Sequence, residues 1–306
     1  MAGNVSGTEP APTHARSTAQ SRAQSRARLA EDVTLTAAAQ ASTENFPVAL
    51  RILPARYRRH LMALYGFARL TDDIGDEVSA DERLRLLDEL EADVDRIYDG
   101  SPPRLAAMRE LATTVAECGV PAQPLRDLIQ ANRQDQLVAR YETFEDLVGY
   151  CRLSANPIGR VVLHIFGAAS PAREQLSDSI CTALQLAEHW QDVAEDLGKG
   201  RIYLPRADRE KFGVTEPDLA APVTGPQVRA LIAYEVARAA ALLDEGAPLV
   251  GTLRGAARLA VAGYLAGGRA ALAAITASGY DVLAVTPRPD KRVTARLAIQ
   301  AYLRGR

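Results

Sequence analysis

Two acidic clusters stand out in this chain for what they could bind. One lies in the run TDDIGDE, from position 71 to 77, and the other in QLAEHWQDVAEDLGKG, from 185 to 200. In a helix, residues four apart lie on one face, so each run would stack carboxylates along one side. Carboxylates about 4 Å apart repel by about 1 kcal/mol in water and about 4 kcal/mol at an effective dielectric of 20. A bound divalent cation would relieve that repulsion. Mg2+ is a suitable cation, because it prefers hard oxygen ligands and commonly binds carboxylates and substrate phosphates together. The candidate metal ligands are Asp72, Asp73, Asp76, Glu188, Asp192, Glu195 and Asp196.

Further polar side chains accompany each cluster at helical spacing. Tyr65 and Arg69 precede Asp72 on one helical stripe, and Gln185 precedes the second cluster in the same way. Apolar residues fill the other directions of the second run, which indicates a buried helix whose polar stripe faces an internal cavity. Groups beyond it could hold diphosphate oxygens by charge and hydrogen bonding. These are Lys199, Arg201 and Tyr203.

An ordinary structural interpretation is available for single pairs in these runs. Arg69 with Asp72 and Asp73, and Glu195 with Lys199, are spaced as intrahelical ion pairs, worth about 0.2–0.5 kcal/mol each on a solvated face. Lys199 would also suit a helix C-terminus. Ion pairing does not account for both clusters together, since their like charges still repel, so a metal–diphosphate site is the favoured hypothesis.

Composition narrows the classes of protein. The chain has 306 residues, with 36 Lys and Arg against 38 Asp and Glu, and this balance gives no reason to expect a nucleic-acid partner. The three cysteines show no CxxC spacing, which fits a reducing cytoplasm without a disulfide framework or zinc site. The sequence contains no GxGxxG, no GxxxxGK[ST] and no Glu-x-x-His pair. A nicotinamide Rossmann site, a P-loop and a di-iron bundle are therefore not indicated.

Periodicity predicts one all-α domain over residues 43–306. Helical patterns run from about position 46 onward, with breaks predicted at 100–103, 119–124, 156–157, 198–200 and 286–289. Residues 1–42 are rich in Ser, Ala, Thr and Arg and are predicted to be a disordered tail; a transit peptide is the alternative. The longest apolar stretches fall short of the ~20 residues of a spanning helix. Membrane contact, if any, should then be peripheral.

The flanking residues of both clusters resemble the squalene/phytoene synthase family. YGFARLTDDIGDE (65–77) resembles its Y-x-x-x-R-x-x-D-D-x-x-D motif, and QLAEHWQDVAEDLGKGRIYLP (185–205) resembles Q-L-x-N-x-x-R-D-V-x-E-D. The resemblance implies an all-α isoprenoid synthase bundle around a central cavity, a prenyl diphosphate substrate and Mg2+. Carried over residue by residue, it implies Mg2+ at Asp72, Asp76, Asp192 and Asp196, diphosphate at Arg69, Lys199 and Arg201, and the reacting cation near Tyr65 and Gln185.

Three further stretches resemble the hydroxysqualene synthase branch of the bacterial hopanoid pathway. They are ENFPVALRILP (44–54), YCRLSANPIGRVVLHIFG (150–167) and WQDV (190–193). This resemblance implies conversion of presqualene diphosphate to hydroxysqualene without NADPH, with contact to neighbouring pathway enzymes left open. It adds substrate-binding candidates at Asn45, Arg51, Asn156, Arg160 and Gln191.

Three positions depart from the family pattern, and two other functions stay open. Glu188 stands where the family has Asn, Gln191 where it has Arg, and Leu50 where a small polar residue is expected. One alternative is condensation of two prenyl diphosphates to presqualene diphosphate, phytoene or dehydrosqualene. The other is a noncatalytic assembly factor, which the retained carboxylates disfavour.

Overall fold

The computed structural model describes residues 52–304, so the predicted tail at 1–42, together with Asn45, Leu50 and Arg51, lies outside the described residues. Within them the secondary structure is helical, apart from one isolated bridge between Arg140 and Ile202. The predicted all-α class is confirmed. The helices are α1 (Ala55–Asp76), α2 (Ala80–Tyr98), α3 (Ala106–Cys118), α4 (Ala122–Asp135), α5 (Phe144–Ser154), α6 (Asn156–Ile165), α7 (Pro171–Gln191), α8 (Val193–Gly198), α9 (Arg206–Lys211), α10 (Glu216–Leu219), α11 (Pro226–Gly246), α12 (Leu249–Thr252), α13 (Gly255–Ala277) and α14 (Lys291–Arg304).

The helices pack around two apolar cores that meet along α6. The first core lies among α1 to α4 and α6 and includes the buried Phe67 and Leu90. The second lies among α5, α7, α11 and α13 and includes the buried Trp190. Helix α7 contacts α5, α6, α11 and α13, so it runs through the middle of the bundle. Its polar stripe therefore has to face an internal space.

The helix breaks lie where Gly and Pro predict them. Helices α2, α3, α5 and α8 end at or next to the predicted segments, and α14 begins after the last of them. Gly119 and Gly200 adopt positive φ values of 63° and 78°, a region that favours glycine, directly after α3 and α8.

The second acidic run differs from the single helix expected from its sequence. Helix α7 ends at Gln191 and α8 starts at Val193, because Asp192 leaves helical geometry with ψ at 19°. The Asp196 amide still donates to the Asp192 carbonyl oxygen at 2.8 Å, so the chain continues in nearly the same direction.

Among the described residues one helix, α13, is long and apolar enough to cross a membrane by length and composition. In the most apolar 18-residue stretch of α13, 67% is buried inside the protein. A core helix meets the same criteria, and α13 contacts α7, α11, α12 and α14.

Candidate active site: a carboxylate-lined mouth over an apolar cavity

A largely apolar cavity of about 230 Å³ lies between α1, α6, α7 and α13. Tyr65 lines it from α1, and Tyr264 lines it from α13. Side chains that cannot hydrogen bond form most of its remaining wall, so the space can hold a hydrocarbon and offers few groups that react with a cation. Typical wall residues are Leu61, Leu64, Ile158, Val162, Ile180 and Leu184.

A second space, about 260 Å³ in volume and polar, adjoins the first. Helix α1 contributes Asp72 and Asp76, and the α7–α8 run contributes three acidic residues from the opposite side. Five residues line both spaces, so they form one continuous cavity with a polar mouth and an apolar interior. These five are Asp72, Leu128, Ser154, Gln185 and Glu188.

The mouth therefore brings together most of the residues predicted from the two motifs. Helical spacing explains this for each motif alone: Asp72 and Asp76 are one turn apart, as are Glu188 and Asp192. The packing of α1 beside α6, and of α6 beside α7, places the two sets opposite one another. The predicted residues lining the mouth are Asp72, Asp76, Gln185, Glu188, Asp192, Asp196, Lys199, Arg201 and Tyr203.

Asp72 sits in an enclosed part of the mouth. The Asn132 side-chain amide donates to Asp72 Oδ1 at 3.1 Å. Gly75 makes this approach feasible, because a Cβ there would lie 2.2 Å from Asn132 Oδ1. The Asp72 side chain is accessible to solvent in the cavity, but protein surrounds that cavity, and burial raises the pKa of Asp72 to about 7 despite the opposing Asn132 hydrogen bond. A neighbouring cation would relieve this cost of ionisation.

The opposite side of the mouth has the same electrostatic problem. Burial, and then the charge of Asp192, raise the pKa of Asp196 to about 7. Burial and Glu195 also raise the pKa of Asp192. The surroundings of Asp192 and Asp196 do not stabilise their ionised forms, as expected for carboxylates that bind a cation.

Asp196→Asn should therefore make the metal-free protein more stable than the wild type, by a larger margin at pH 8 than at pH 5. The folded-state pKa of about 7 exceeds the unfolded value of about 3.9, so the folded protein binds this proton more tightly. Stability from Asp196 is consequently lost as pH rises between those values, whereas Asn does not titrate. Thermal unfolding in EDTA should show a gap on the order of a few degrees at pH 8. Asp81→Asn, on the exposed start of α2, is the control; an equal gap at both pH values for Asp196→Asn would contradict the assignment.

Arg201 and Lys199 supply the positive charge of the mouth. Arg201 Nη2 donates to Asp76 Oδ1 at 2.8 Å, linking the α8 loop to α1. Burial opposes the charge of Arg201, but Tyr203, Asp76 and Asp135 outweigh it, and the pKa of Arg201 is raised. The loop is held in place because the Ile202 amide donates to the Ala139 carbonyl oxygen at 3.0 Å. Arg201 thus stays cationic and is fixed toward the cavity.

Asp135 and Asn132 belong to the mouth, although sequence reasoning missed them. The Tyr150 hydroxyl donates to Asp135 Oδ2 at 2.8 Å, while Asp135 Oδ1 is buried and has no hydrogen-bond partner within residues 52–304. Burial raises the pKa of Asp135 to about 6. Their run NRQDQ is indistinguishable from a solvated helix end. The sequence signal that could have identified Asn132 and Asp135 is their i, i+3 spacing, which puts both on one face of α4.

His189, another residue not predicted, forms part of an aromatic wall beside the mouth. Its ring stacks on Tyr203 with centroids 3.6 Å apart, and Tyr203 stacks on Tyr150 at 5.9 Å. Burial, followed by the charge of Arg201, lowers the pKa of His189 to about 3, so the imidazole is neutral near pH 7. The aromatic wall lies in the same mouth as Arg201 and adds no charge to it.

Two predicted residues of the first motif lie outside the cavity. Arg69 forms an ion pair with Asp73 at 2.6 Å and also lies 3.8 Å from Glu77. Neither Arg69 nor Asp73 lines the mouth or the apolar cavity. The physical reason is that Asp73 is one residue, about 100°, around the helix from Asp72, and Arg69 turns toward it.

Four further candidates are also placed away from the cavity. Thr182 donates to Asn156 in the core at 2.9 Å, and Arg160 pairs with Asp178 at 2.7 Å. The Gln191 amide, which is buried, donates to the Pro287 carbonyl oxygen. Glu195 pairs with Lys199 at 2.8 Å on the exposed side of α8. Each of these four is used in packing or surface pairing and lines neither the mouth nor the apolar cavity: Asn156, Arg160, Gln191 and Glu195.

The donor set of the mouth fits Mg2+ that arrives with a diphosphate. No group of three or more His, Cys, Asp or Glu side chains in the described part of the chain is close enough to enclose an ion by itself. Mg2+ does not require such a cage, since it commonly binds through one or two carboxylates, water and substrate phosphates. The residues that would hold it are Asp72, Asp76, Glu188, Asp192 and Asp196.

Comparison with known proteins agrees with this geometry. A model of the squalene/phytoene synthase family matches residues 39–298. A hydroxysqualene synthase of Rhodopseudomonas palustris is 36% identical over 214 residues, which cover 69% of this chain and 72% of that protein. A phytoene synthase of Mycobacterium tuberculosis is 35% identical over 188 residues, covering 61% and 60%.

A solved structure gives the same result. The crystal structure of a squalene synthase from Alicyclobacillus acidocaldarius superposes with a TM-score of 0.70 at 46% identity, covering 74% of this chain and 86% of that one. The isoprenoid synthase-like bundle expected from the two motifs is thereby confirmed, and with it an enzyme fold that binds prenyl diphosphates. The chain belongs to the squalene/phytoene synthase family.

Proposed function

We propose that this enzyme converts presqualene diphosphate to hydroxysqualene and releases diphosphate in a magnesium-dependent reaction. The observation that carries the proposal is the continuity of a carboxylate-lined mouth with an apolar cavity. A diphosphate and its attached hydrocarbon need these two environments side by side. The hydroxysqualene synthase of R. palustris, similar over 69% of the chain, supports this choice of substrate.

The residues of the mouth bind and orient the diphosphate. Arg201 is fixed by Asp76 and can turn its remaining donors to phosphate oxygens. Lys199 lies at the rim, where its charge interacts with both Asp196 and Asp76. The chemistry that bound Mg2+ supplies is neutralisation of the charge that develops on the leaving diphosphate. Below the mouth, the aliphatic wall excludes water from the carbocation until capture.

A specific observation also favours a second function, head-to-head condensation of two prenyl diphosphates. The phytoene synthase of M. tuberculosis is almost as similar to this chain, at 35% identity. The same mouth and cavity would serve that reaction, which also begins with departure of a diphosphate. Product analysis separates the two.

Purified protein with MgCl2 and no NADPH should turn presqualene diphosphate into hydroxysqualene, detected by mass spectrometry of the organic extract. EDTA should abolish the product. Farnesyl diphosphate, offered separately, should remain unconverted. If farnesyl diphosphate alone were consumed, to presqualene diphosphate or dehydrosqualene, the condensation reaction would replace the proposed one.

A further inference from the structure

The outward face of α14 carries two large apolar side chains that are exposed. Ile299 is 62% exposed and Leu303 is 52% exposed. They are four residues apart, so they lie on successive turns of one side of the helix. The other side is docked on the protein, since Ala301 is buried and the Arg258 guanidinium donates to the Tyr302 carbonyl oxygen. Ile299 and Leu303 are therefore held in position while facing away from the core.

Cationic side chains lie on the same face. Arg292 and Arg296 are exposed and precede Ile299 on the helix. At about 100° per residue, these two arginines and the two apolar residues fall within about 60° of arc around the helix axis. This α14 stripe consists of Arg292, Arg296, Ile299 and Leu303. Because α14 contains no Asp or Glu, its outward face is both apolar and positively charged.

The cations of α14 form no ion pair within residues 52–304; they are Lys291, Arg292, Arg296 and Arg304. Asp290, just before the helix, caps it instead, because its Oδ1 accepts from the Arg292 backbone amide at 2.6 Å. Another exposed leucine shows the contrast. Leu84, on α2, is 50% exposed, but the neighbouring Arg85 pairs with Glu89 at 2.5 Å. The positive charge of α14 is thus available to an external anionic partner.

The start of α14 lies close to the mouth of the cavity. The Gln191 amide donates to the Pro287 carbonyl oxygen, and the next residue, Asp192, lines the mouth. The charge of Arg288 also acts on Asp192. Helix α14 begins only four residues after Pro287, at most about 14 Å of extended chain. Val285, in the same segment, is a further apolar residue that is 66% exposed. The exposed face therefore begins near the opening through which a hydrocarbon would pass.

We propose that the α14 stripe binds the surface of an anionic phospholipid bilayer. Charge complementarity favours this occupant, because cations without acidic partners attract anionic headgroups. Ile299 and Leu303 can enter the boundary between headgroups and acyl chains. A second copy of this chain is disfavoured, since a twofold contact would set α14 against α14 and bring like charges together. Contact through one helix face is peripheral and does not depend on which reaction the enzyme catalyses.

The test measures cosedimentation of the full chain with vesicles. Wild type should bind vesicles of equal parts phosphatidylcholine and phosphatidylglycerol, bind phosphatidylcholine vesicles far less, and lose binding as salt is raised. Combining Arg292→Gln with Arg296→Gln should weaken binding to the anionic vesicles about 30-fold. Leu303→Ser should weaken it about tenfold. The matched control combines Arg85→Gln with Arg126→Gln, which removes two charges that are paired elsewhere on the surface, and should bind like wild type.

Circular dichroism and turnover of a detergent-dispersed substrate should be unchanged in these variants, because the substituted side chains face away from the core and the cavity. Equal binding to both kinds of vesicle, or binding to anionic vesicles that the α14 variants leave unaltered, would overturn the proposal. So would a dimer in analytical ultracentrifugation that Leu303→Ser dissociates, in a protein that does not bind vesicles. If Leu303→Ser does not fold, Ile299→Ser takes its place. Vesicle binding is measured without turnover, so failure of the proposed reaction would leave this result unaffected.

Discussion

Asp72→Asn and Asp192→Asn should each reduce kcat by about 10³-fold without unfolding the protein. The two carboxylates lie on opposite sides of the mouth, on α1 and at the α7–α8 junction. Removing one charge leaves the diphosphate less well neutralised as it departs, and single preorganised electrostatic groups are worth about 10²–10³ in kcat. The fold should survive, because Asn has the shape of Asp and burial already raises the pKa of both groups.

The measurement is steady-state turnover of presqualene diphosphate over a range of MgCl2 concentrations, with circular dichroism for folding. Asp178→Asn is the matched control, since Asp178 lies on α7 but pairs with Arg160 outside the cavity. It should keep wild-type kcat within about threefold. Near-normal turnover in either Asp72→Asn or Asp192→Asn would mean that the mouth does not bind the metal–diphosphate as proposed.

Arg201→Gln should have the second-largest effect, lowering kcat/KM for presqualene diphosphate by about 10²–10³. The Arg201 guanidinium is mostly buried, with its side chain 18% exposed, and it faces the mouth beside Asp76. Gln keeps some hydrogen bonding but loses the positive charge. Asp76 would then lack its 2.8 Å partner, which adds repulsion against the incoming diphosphate.

Arg206→Gln is the control for the same loop. Arg206 is exposed and pairs with Glu142 and Glu210 on the outer surface, so its loss should leave kcat/KM unchanged within about twofold. Arg201→Lys should recover part of the activity, because a point charge without the planar fork replaces only the Coulombic contribution. Equal effects of Arg201→Gln and Arg206→Gln would show that the loop's folding, rather than the Arg201 charge, matters.

Local patterns in the sequence were sufficient for the helices and for the two acidic motifs. Helical periodicity is a property of short stretches, so the stripe containing Asp72 and Asp76 could be assigned without knowing what packs against it. Glycine and proline marked the ends of α3 and α8 for the same reason. The two motifs lie more than 100 positions apart, yet both resemble the same family. That shared resemblance indicated the helical bundle of the family.

Which neighbouring residues face the cavity depended on packing over long distances. Asp72 and Asp73 are adjacent in the chain, yet Asp72 lines the mouth and Asp73 pairs with Arg69. Gln191 is next to Asp192, but its amide is buried against Pro287, almost a hundred positions later. Periodicity gives the angle between two side chains on a helix and does not say which angle points to the active site.

By itself, the sequence determined the fold class and the helical placement of the first motif, and it predicted the metal–diphosphate chemistry proposed for the site, because these depend on residue types and spacing within single turns. Only the tertiary structure decided that Asp135 and His189 belong to the site. Their local sequences look ordinary. They become functional candidates because residues of α4 and α7 line the same mouth, where enclosure raises the pKa of Asp135 and lowers the pKa of His189.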